Sequence, residues 1–280
     1  MTTRVGLPSK GRLRDACLTL LDHAGYSVGM FRGSGSRATV DGIEFIEMRP
    51  RDAAAWLVAG RLSAAFLSTD IAAEQGVADW PTTELGFARS DLVLACRDDD
   101  PRSTAADLAG ATVATHLPET TSRWFLARGI GVTVVPMGGA LEGVCAAGLA
   151  DAIVDLRETV TSLAQNRLHV VEVMERCQAL FVQAPDAPDA LSGLVLRLAA
   201  ALEARRRQYV LLHIPPAELD DLAALFGGLA SPTVIPLAGR DDLVAAHLVV
   251  DRADLWLQLE ALRALGATGI VALPADAVVL

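Results

Sequence analysis

The chain is short of three things: long apolar runs, cysteine and positive charge. Each shortage removes a class of function. No uninterrupted apolar stretch reaches the roughly 18 residues that a membrane-spanning helix needs, although the mean hydropathy is +0.36 and 52% of residues are hydrophobic. The apolar character comes from Ala, Leu and Val scattered at short spacing. Four cysteines (Cys17, Cys96, Cys145, Cys177) stand far apart with no Cys-x-x-Cys pair, which argues against a zinc site or a redox dithiol. Lys and Arg number 24 against 34 Asp and Glu, a formal net charge of -10. A nucleic-acid binder needs a basic surface to displace counterions, so that class is disfavoured. A local cationic cluster can still oppose the global sign and hold a small anion. The N-terminal Met1-Thr-Thr-Arg4 carries charge where a signal peptide needs its apolar core, and the expectation is a cytoplasmic protein.

What is present is a regular alternation of strands and helices over 280 residues, long enough for one large or two to three small domains. An apolar run at residues 4–8 leads into an amphipathic stretch over 13–24, with Gly25 as its stop. Strand-like 43–48 follows, then a helix over 51–59, a strand over 63–67 and a turn at Ser68-Thr-Asp70. Residues 92–96 read as a crossover strand into a second lobe, where strands at 112–115, 132–136 and 151–156 alternate with helices at 119–128 and 141–147. Strands at 170–174 and 179–183 precede a helix that ends at Arg205-Arg-Arg207, a cationic run that reads as a solvated helix end rather than a phosphate site. This alternation predicts α/β lobes with largely parallel sheets. The tail from residue 208 reads β-α-β-β-α-β, the order of a ferredoxin-like module, whose free sheet face commonly pairs with a copy of itself or binds a small ligand.

The chemistry-bearing residues cluster after strands. Lys10 and Arg12 flank Gly11 just beyond the first strand, where open α/β sheets bind ligands, although a solvated basic turn has the same composition. Glu142 reads either as an ordinary first-turn helix carboxylate or as a ligand group. Asp151 and Asp155 bracket the apolar Ala152-Ile-Val154, and carboxylates at the ends of a buried strand need partners. A sugar diol or a magnesium-bound pyrophosphate would serve. The hydroxyl-rich Thr159-Val-Thr-Ser162 then suits a phosphate.

Several strings together resemble the long form of ATP phosphoribosyltransferase over nearly the whole chain. They are Pro8-Ser-Lys-Gly-Arg-Leu13, Arg49-Pro-Arg-Asp52, Asp107-Leu-Ala-Gly110, Glu142 with Gly148-Leu-Ala-Asp-Ala-Ile-Val-Asp155, and in the tail Ser231-Pro-Thr-Val-Ile-Pro-Leu237 with Leu265-Gly-Ala267. The resemblance implies a bilobal, periplasmic-binding-protein-like catalytic domain over residues 1–207, with lobe I at about 1–92 and 178–207 and lobe II at about 93–177. A ferredoxin-like regulatory domain would occupy 208–280. It implies that N1 of ATP attacks C1 of phosphoribosyl pyrophosphate and expels pyrophosphate, with Mg2+ as cofactor, as the first step of histidine biosynthesis.

By the same resemblance Lys10, Arg12 and Asp70 are the catalytic candidates, and Arg49 joins them at the nucleotide. Glu142 and Asp155 would hold the ribose of phosphoribosyl pyrophosphate, Asp151 would join them at that substrate, and Thr159, Val160, Thr161 and Ser162 would wrap its 5′-phosphate. His213, Ser231, Thr233 and Ala267 would lie at a histidine effector site, and the chain would form a homo-oligomer, from dimer to hexamer. As lone histidines on strands, His213 and His247 otherwise read as structural. Three positions depart from the family pattern. Val160 stands where the phosphate loop has glycine, and Val at positive φ would be an outlier. Ser63-Ala-Ala-Phe-Leu-Ser-Thr-Asp70 has lost two glycines and a threonine, placing bulk where the nucleotide is expected. Leu117 replaces a frequent Tyr. These changes leave open a diverged relative with another acceptor, or one that binds ligand without turnover. A bilobal solute receptor is the third class.

Overall fold

The computed structural model describes residues 2–32, 36–157, 160–226 and 232–279. The chain divides into two compact units, residues 1–18 with 29–191, and residues 19–28 with 192–280.

The first unit holds two sheets. In chain order, β1 (Thr3–Pro8), α1 (Gly11–His23), β2 (Arg37–Val40), β3 (Ile43–Met48), α2 (Pro50–Val58), β4 (Ala64–Ser68), α3 (Thr69–Glu74) and β5 (Thr82–Glu84) build most of lobe I. The chain crosses to lobe II through β6 (Ser90–Arg97), followed by β7 (Thr112–Thr115), α4 (Pro118–Leu126), β8 (Thr133–Pro136), α5 (Leu141–Ala146), β9 (Ala152–Arg157) and α6 (Val160–Gln165). It returns through β10 (Leu168–Cys177) to β11 (Ala179–Gln183). The lobe I sheet runs β2-β3-β1-β4-β11-β5 and the lobe II sheet β10-β6-β9-β7-β8. In lobe I, β1 pairs in parallel with both β3 and β4. In lobe II, β7 pairs in parallel with β8 and β9. The strands that enter or return from the crossovers pair antiparallel, so both sheets are mixed.

Burial explains why these segments are strands. Val5, Leu7, Ala64, Ala65, Phe66 and Leu67 in lobe I, and Leu92, Val93, Leu94, Val113, Ile153 and Val154 in lobe II, are fully excluded from solvent. Near-continuous apolar runs are what a sheet covered on both faces requires. Gly6 has a packing reason: a Cβ there would meet the Ala53 methyl of α2 at 3.0 Å. Two strands escape the sequence pattern. β2 and β5 are four and three residues long, mostly polar or exposed, and sit at the two edges of the lobe I sheet. All four cysteines are buried and free, and burial pushes the Cys96 and Cys177 thiols up to about 12, which makes them inert.

The second unit contains α7 (Ser192–Arg206), β12 (Arg207–Ile214), α8 (Leu219–Leu225), β13 (Thr233–Leu237), β14 (Arg240–Asp251), α9 (Arg252–Leu257), α10 (Leu259–Ala264) and β15 (Thr268–Pro274). Its antiparallel sheet runs β13-β14-β12-β15, the ferredoxin-like arrangement. One face buries Val210, Leu212, Ala246 and Val250 against Leu222 of α8, Leu255 of α9 and Leu262 of α10. The second helix of the expected β-α-β-β-α-β order is two helices, broken at Gln258. Of the arginine run, Arg206 and Arg207 both reach back to Glu203, Arg207 at 2.7 Å. Among the described residues no helix is long and apolar enough to cross a membrane.

Asp151 belongs to the frame of lobe II rather than to its ligand edge. It lies at the amino end of β9, where its carboxylate accepts the Thr112 N–H at 2.8 Å and Arg102 Nη2 at 3.0 Å. Arg102 also forks onto Asp100 at 2.8 and 2.6 Å. This pairing holds Asp100 down at about 2, and the Thr112 N–H with Arg102 lowers Asp151 as well. Depressed carboxylates contribute stability above their unfolded values and lose it as pH falls through the folded ones. Arg102→Ala is therefore expected to cost about 2 kcal/mol near neutrality. The loss should shrink between roughly pH 4 and 2, the window set by the ordinary carboxylate value and Asp100. Denaturant melts of the variant across pH check this, and an equal loss at pH 2 would contradict it.

Candidate active site

Ligands in open α/β sheets gather beyond the carboxyl ends of the strands, and both lobes present candidate residues there. In lobe I the parallel strands β1, β3 and β4 end side by side, with the Ser9 N–H bonded to the Met48 carbonyl at 3.0 Å. Lys10 and Arg12 follow β1, Arg49 follows β3, and Asp70 follows β4. Lys10, Arg12 and Arg49 are exposed along this edge. Gly11 opens α1 at φ +78°, a left-handed conformation that disfavours any side chain at that turn.

Asp70 occupies the first turn of α3 rather than a free turn. It is 1% exposed, and its Oδ1 is buried with no hydrogen-bond partner. Burial pushes its carboxyl up, opposed by the Ser68 hydroxyl and by His116 of lobe II. A buried polar atom without a partner is costly and marks a place where a donor from a ligand would be welcome.

The bulk that replaces the lost glycines upstream of Asp70 does not enter the cleft. Phe66 and Leu67 are fully buried within β4. Phe66 packs on Phe181 of β11 with ring centroids 4.9 Å apart, and Leu67 joins the lobe I core. Only Ser68, Thr69 and Asp70 reach the edge. Leu117 is likewise a core residue of lobe II, 0% exposed. The sequence-based expectation of a nucleotide site filled by bulk is thus corrected: the larger side chains point into the layers of the sheet.

In lobe II the carboxyl edge carries His116 after β7, Glu142 in the first turn of α5, and Asp155 near the end of β9. Asp155 Oδ1 accepts the Leu156 N–H at 2.8 Å and lies 3.4 Å from His116 Nδ1. Its second oxygen, Oδ2, has no such partner among the described residues. Burial pushes the Asp155 carboxyl up, the Leu156 N–H and His116 oppose this, and Glu142 adds to it. Glu175 of β10 is raised by burial and by the charge of Asp70. His116 thus faces Asp70 and Asp155, with Glu142 beside Asp155 and Glu175 beside Asp70. Carboxylates with perturbed proton affinity in a cleft are functional candidates.

The two lobes are tied beside these carboxylates. Glu74, at the end of α3 and 5% exposed, accepts the Glu119 and Thr120 N–H groups at 3.1 and 2.8 Å. It thereby caps the first turn of α4 across the cleft. Arg123 returns a bond to the Ala73 carbonyl, and Arg51 stands 3.8 Å from Glu74. His116, Glu74 and Glu175 were not found by sequence reasoning, although His116 satisfied the rule that drew attention to Lys10: it follows a parallel strand directly.

Thr159 and Ser231 lie outside the described residues. Val160, Thr161 and Ser162 open helix α6, so Val160 adopts helical rather than positive φ and the expected outlier does not arise. In the second unit, Ala267 is buried beside Thr268, whose register partner is His213. Thr233 lies two strands away from His213, in the row of His247. The structure therefore brings His213 and Ala267 together but not Thr233. His247 is held by Tyr209, with hydroxyl and Nδ1 2.7 Å apart. Among the described residues no group of three or more His, Cys, Asp or Glu side chains could hold a metal ion. A resident metal does not fit these residues.

The chain matches the family model described as ATP phosphoribosyltransferase over residues 49–204 and that described as the C-terminal domain of the same protein over 204–277. It is 35% identical to an ATP phosphoribosyltransferase of Gemmatimonas aurantiaca, with 96% of each chain covered. It is 33% identical to one of Methanopyrus kandleri, covering 97% of this chain and 98% of that one. Among solved structures it is similar to a chain of the ATP phosphoribosyl transferase (HisG:HisZ) complex from Thermotoga maritima. There the TM-score is 0.61 and the identity 25%, over 72% of this chain and 98% of that one. With both family models matched in order and relatives aligned nearly end to end, this chain belongs to the ATP phosphoribosyltransferase family.

Proposed function

We propose that this chain joins N1 of ATP to C1 of phosphoribosyl pyrophosphate, the first step of histidine biosynthesis. The adenine N1 lone pair forms the new bond to C1 while the C1–oxygen bond breaks, and its electron pair leaves with pyrophosphate. The leaving group is already good, so protein is needed mainly to align two nucleotides and to balance charge. The observation that carries the reading is the meeting of Asp155, Glu142 and Asp70 at the carboxyl edges of two lobes, in a chain that matches the family along its length.

In this reading Asp155 receives ribose hydroxyls on Oδ2, and Glu142 stands beside it. As positive charge develops at C1, these carboxylates favour the transition state more than the ground state. Lys10, Arg12 and Arg49 face the phosphates from lobe I, with Asp70 turned toward the acceptor. Residues 159–162 receive the 5′-phosphate. Mg2+ arrives with the diphosphate of the substrate as its counter-ion. The ferredoxin-like unit binds histidine as an effector beside His213 and Ala267, and the chain forms a homo-oligomer of two to six copies in the cytoplasm. Retention of the edge residues, with the bulk buried in the sheets, supports turnover over a binding-only relative.

Purified protein is expected to release pyrophosphate only when both ATP and phosphoribosyl pyrophosphate are present, with histidine lowering the rate. Release with another base and none with ATP would overturn the choice of acceptor. No release with any acceptor would overturn the reaction.

A further inference from the structure

Asp155 has a like charge, Glu142, beside it, and its Oδ1 is held from the backbone by the Leu156 N–H alone. Every negative neighbour favours its protonated form and disfavours a fixed carboxylate. Among the described residues, the one cationic or N–H-bearing side chain against it is His116. We propose that His116 is the positioning residue of the sugar site, holding Asp155 by one oxygen so that the other is presented to the ribose hydroxyls. The inference rests on the reading of Asp155 as the ribose ligand.

His116 is built to be rigid. It sits on the two-residue bridge between β7 and α4. Thr115, 0% exposed, accepts the Leu117 N–H on its Oγ1 at 3.0 Å, and the Thr121 hydroxyl lies 3.3 Å from the same atom. Leu117 on the far side is sealed into the lobe II core, and Pro118 fixes the first turn of α4. A side chain between two anchored neighbours loses little further freedom when it engages a partner. Its imidazole Nδ1 then lies 3.4 Å from Asp155 Oδ1, the oxygen already bonded to the Leu156 N–H. The imidazole and the Leu156 N–H both lie against Oδ1, which leaves Oδ2 as the oxygen to receive a sugar hydroxyl. Asp70 faces the same imidazole from lobe I, so the ring also senses the opposite wall of the cleft.

Two variants test this, with steady-state kinetics and calorimetric binding of phosphoribosyl pyrophosphate without ATP. His116→Ala removes the anchor. It should raise KM and Kd for phosphoribosyl pyrophosphate about tenfold or more while KM for ATP stays within about twofold. It should also move the acid limb of kcat/KM to higher pH, because His116 is one of the groups holding Asp155 down. His116→Asn returns an N–H donor near the place of Nδ1 and should recover most of the binding at alkaline pH, where Asp155 is ionised. Unchanged phosphoribosyl pyrophosphate affinity in the alanine variant would overturn the proposal, as would an asparagine variant no better than alanine. Should alanine lower the melting temperature, the asparagine variant alone decides. Asp155→Asn separates the two levels: if it binds the sugar normally, the ribose reading fails; if it loses binding while His116→Ala does not, only the role of His116 fails.

Discussion

Asp155→Asn is expected to lower kcat/KM by about a hundredfold or more and to leave the protein at least as stable as the parent. The loss follows from charge: the amide keeps the shape and one acceptor oxygen but removes the negative field that favours a developing cation at C1. The unchanged or raised stability follows from the proton affinity of the group. Burial pushes the Asp155 carboxyl up in the folded chain. The sign is therefore opposite to that of a salt-bridged aspartate: the proton binds more tightly to the folded form, and stability falls as pH rises from the unfolded value through the folded one. At neutral pH the ionised side chain is a cost, and a neutral amide removes it. Stability given up at a functional carboxylate is a common trade. Thermal melts beside pyrophosphate-release assays check both halves, and a variant that is active or markedly less stable would contradict them.

Glu74→Ala is expected to cost about 2–3 kcal/mol and to impair turnover without touching substrate. The side chain is almost wholly buried and accepts two backbone N–H groups from the first turn of α4, in the other lobe. Its removal leaves those donors without their partner and takes negative charge from a helix start, each a known cost. The same bonds set where α4 begins, and His116 lies two residues before Pro118. A shift there propagates directly to Asp155. Glu74→Gln, which keeps one acceptor oxygen, should lie between the parent and alanine in both melting temperature and kcat/KM. If Glu74→Ala melts with the parent, the cross-lobe cap is not a stabilising contact.

The fold was legible where burial and period agree. The runs 63–67, 92–96 and 151–156 are apolar because sheets cover them on both faces, and each is a strand in the structure. The tail's β-α-β-β-α-β order was equally plain, because one amphipathic face suffices to mark each element. The edge strands were not legible: Thr82-Thr-Glu84 has no apolar alternation, since one side of an edge strand meets solvent and its pairing comes from β11. The break at Gln258 was hidden because apolar positions continue through it on both sides.

The site was readable only as far as local order reaches. Lys10, Arg12, Glu142 and Asp155 follow or begin elements in ways that spacing reveals. Asp151 misled because a spacing of four on a strand fixes the face but not the end. It points to the amino end, where Thr112 and Arg102 consume it. His116, Glu74 and Glu175 were missed for the opposite reason. Their partners lie 39, 45 and 105 positions away, at Asp155, Glu119 and Asp70, and no window of sequence contains both members. The altered residues at 66, 67 and 160 looked damaging because sequence shows volume without direction; two of them face the core and the third lies in a helix.

Calorimetric titration of phosphoribosyl pyrophosphate into the parent, Asp155→Asn and Asp151→Asn proteins tests the central claim most directly. Saturable binding in the parent and in Asp151→Asn, with none in Asp155→Asn, is the expected result. Equal binding by the parent and Asp155→Asn would show that the sugar is held elsewhere.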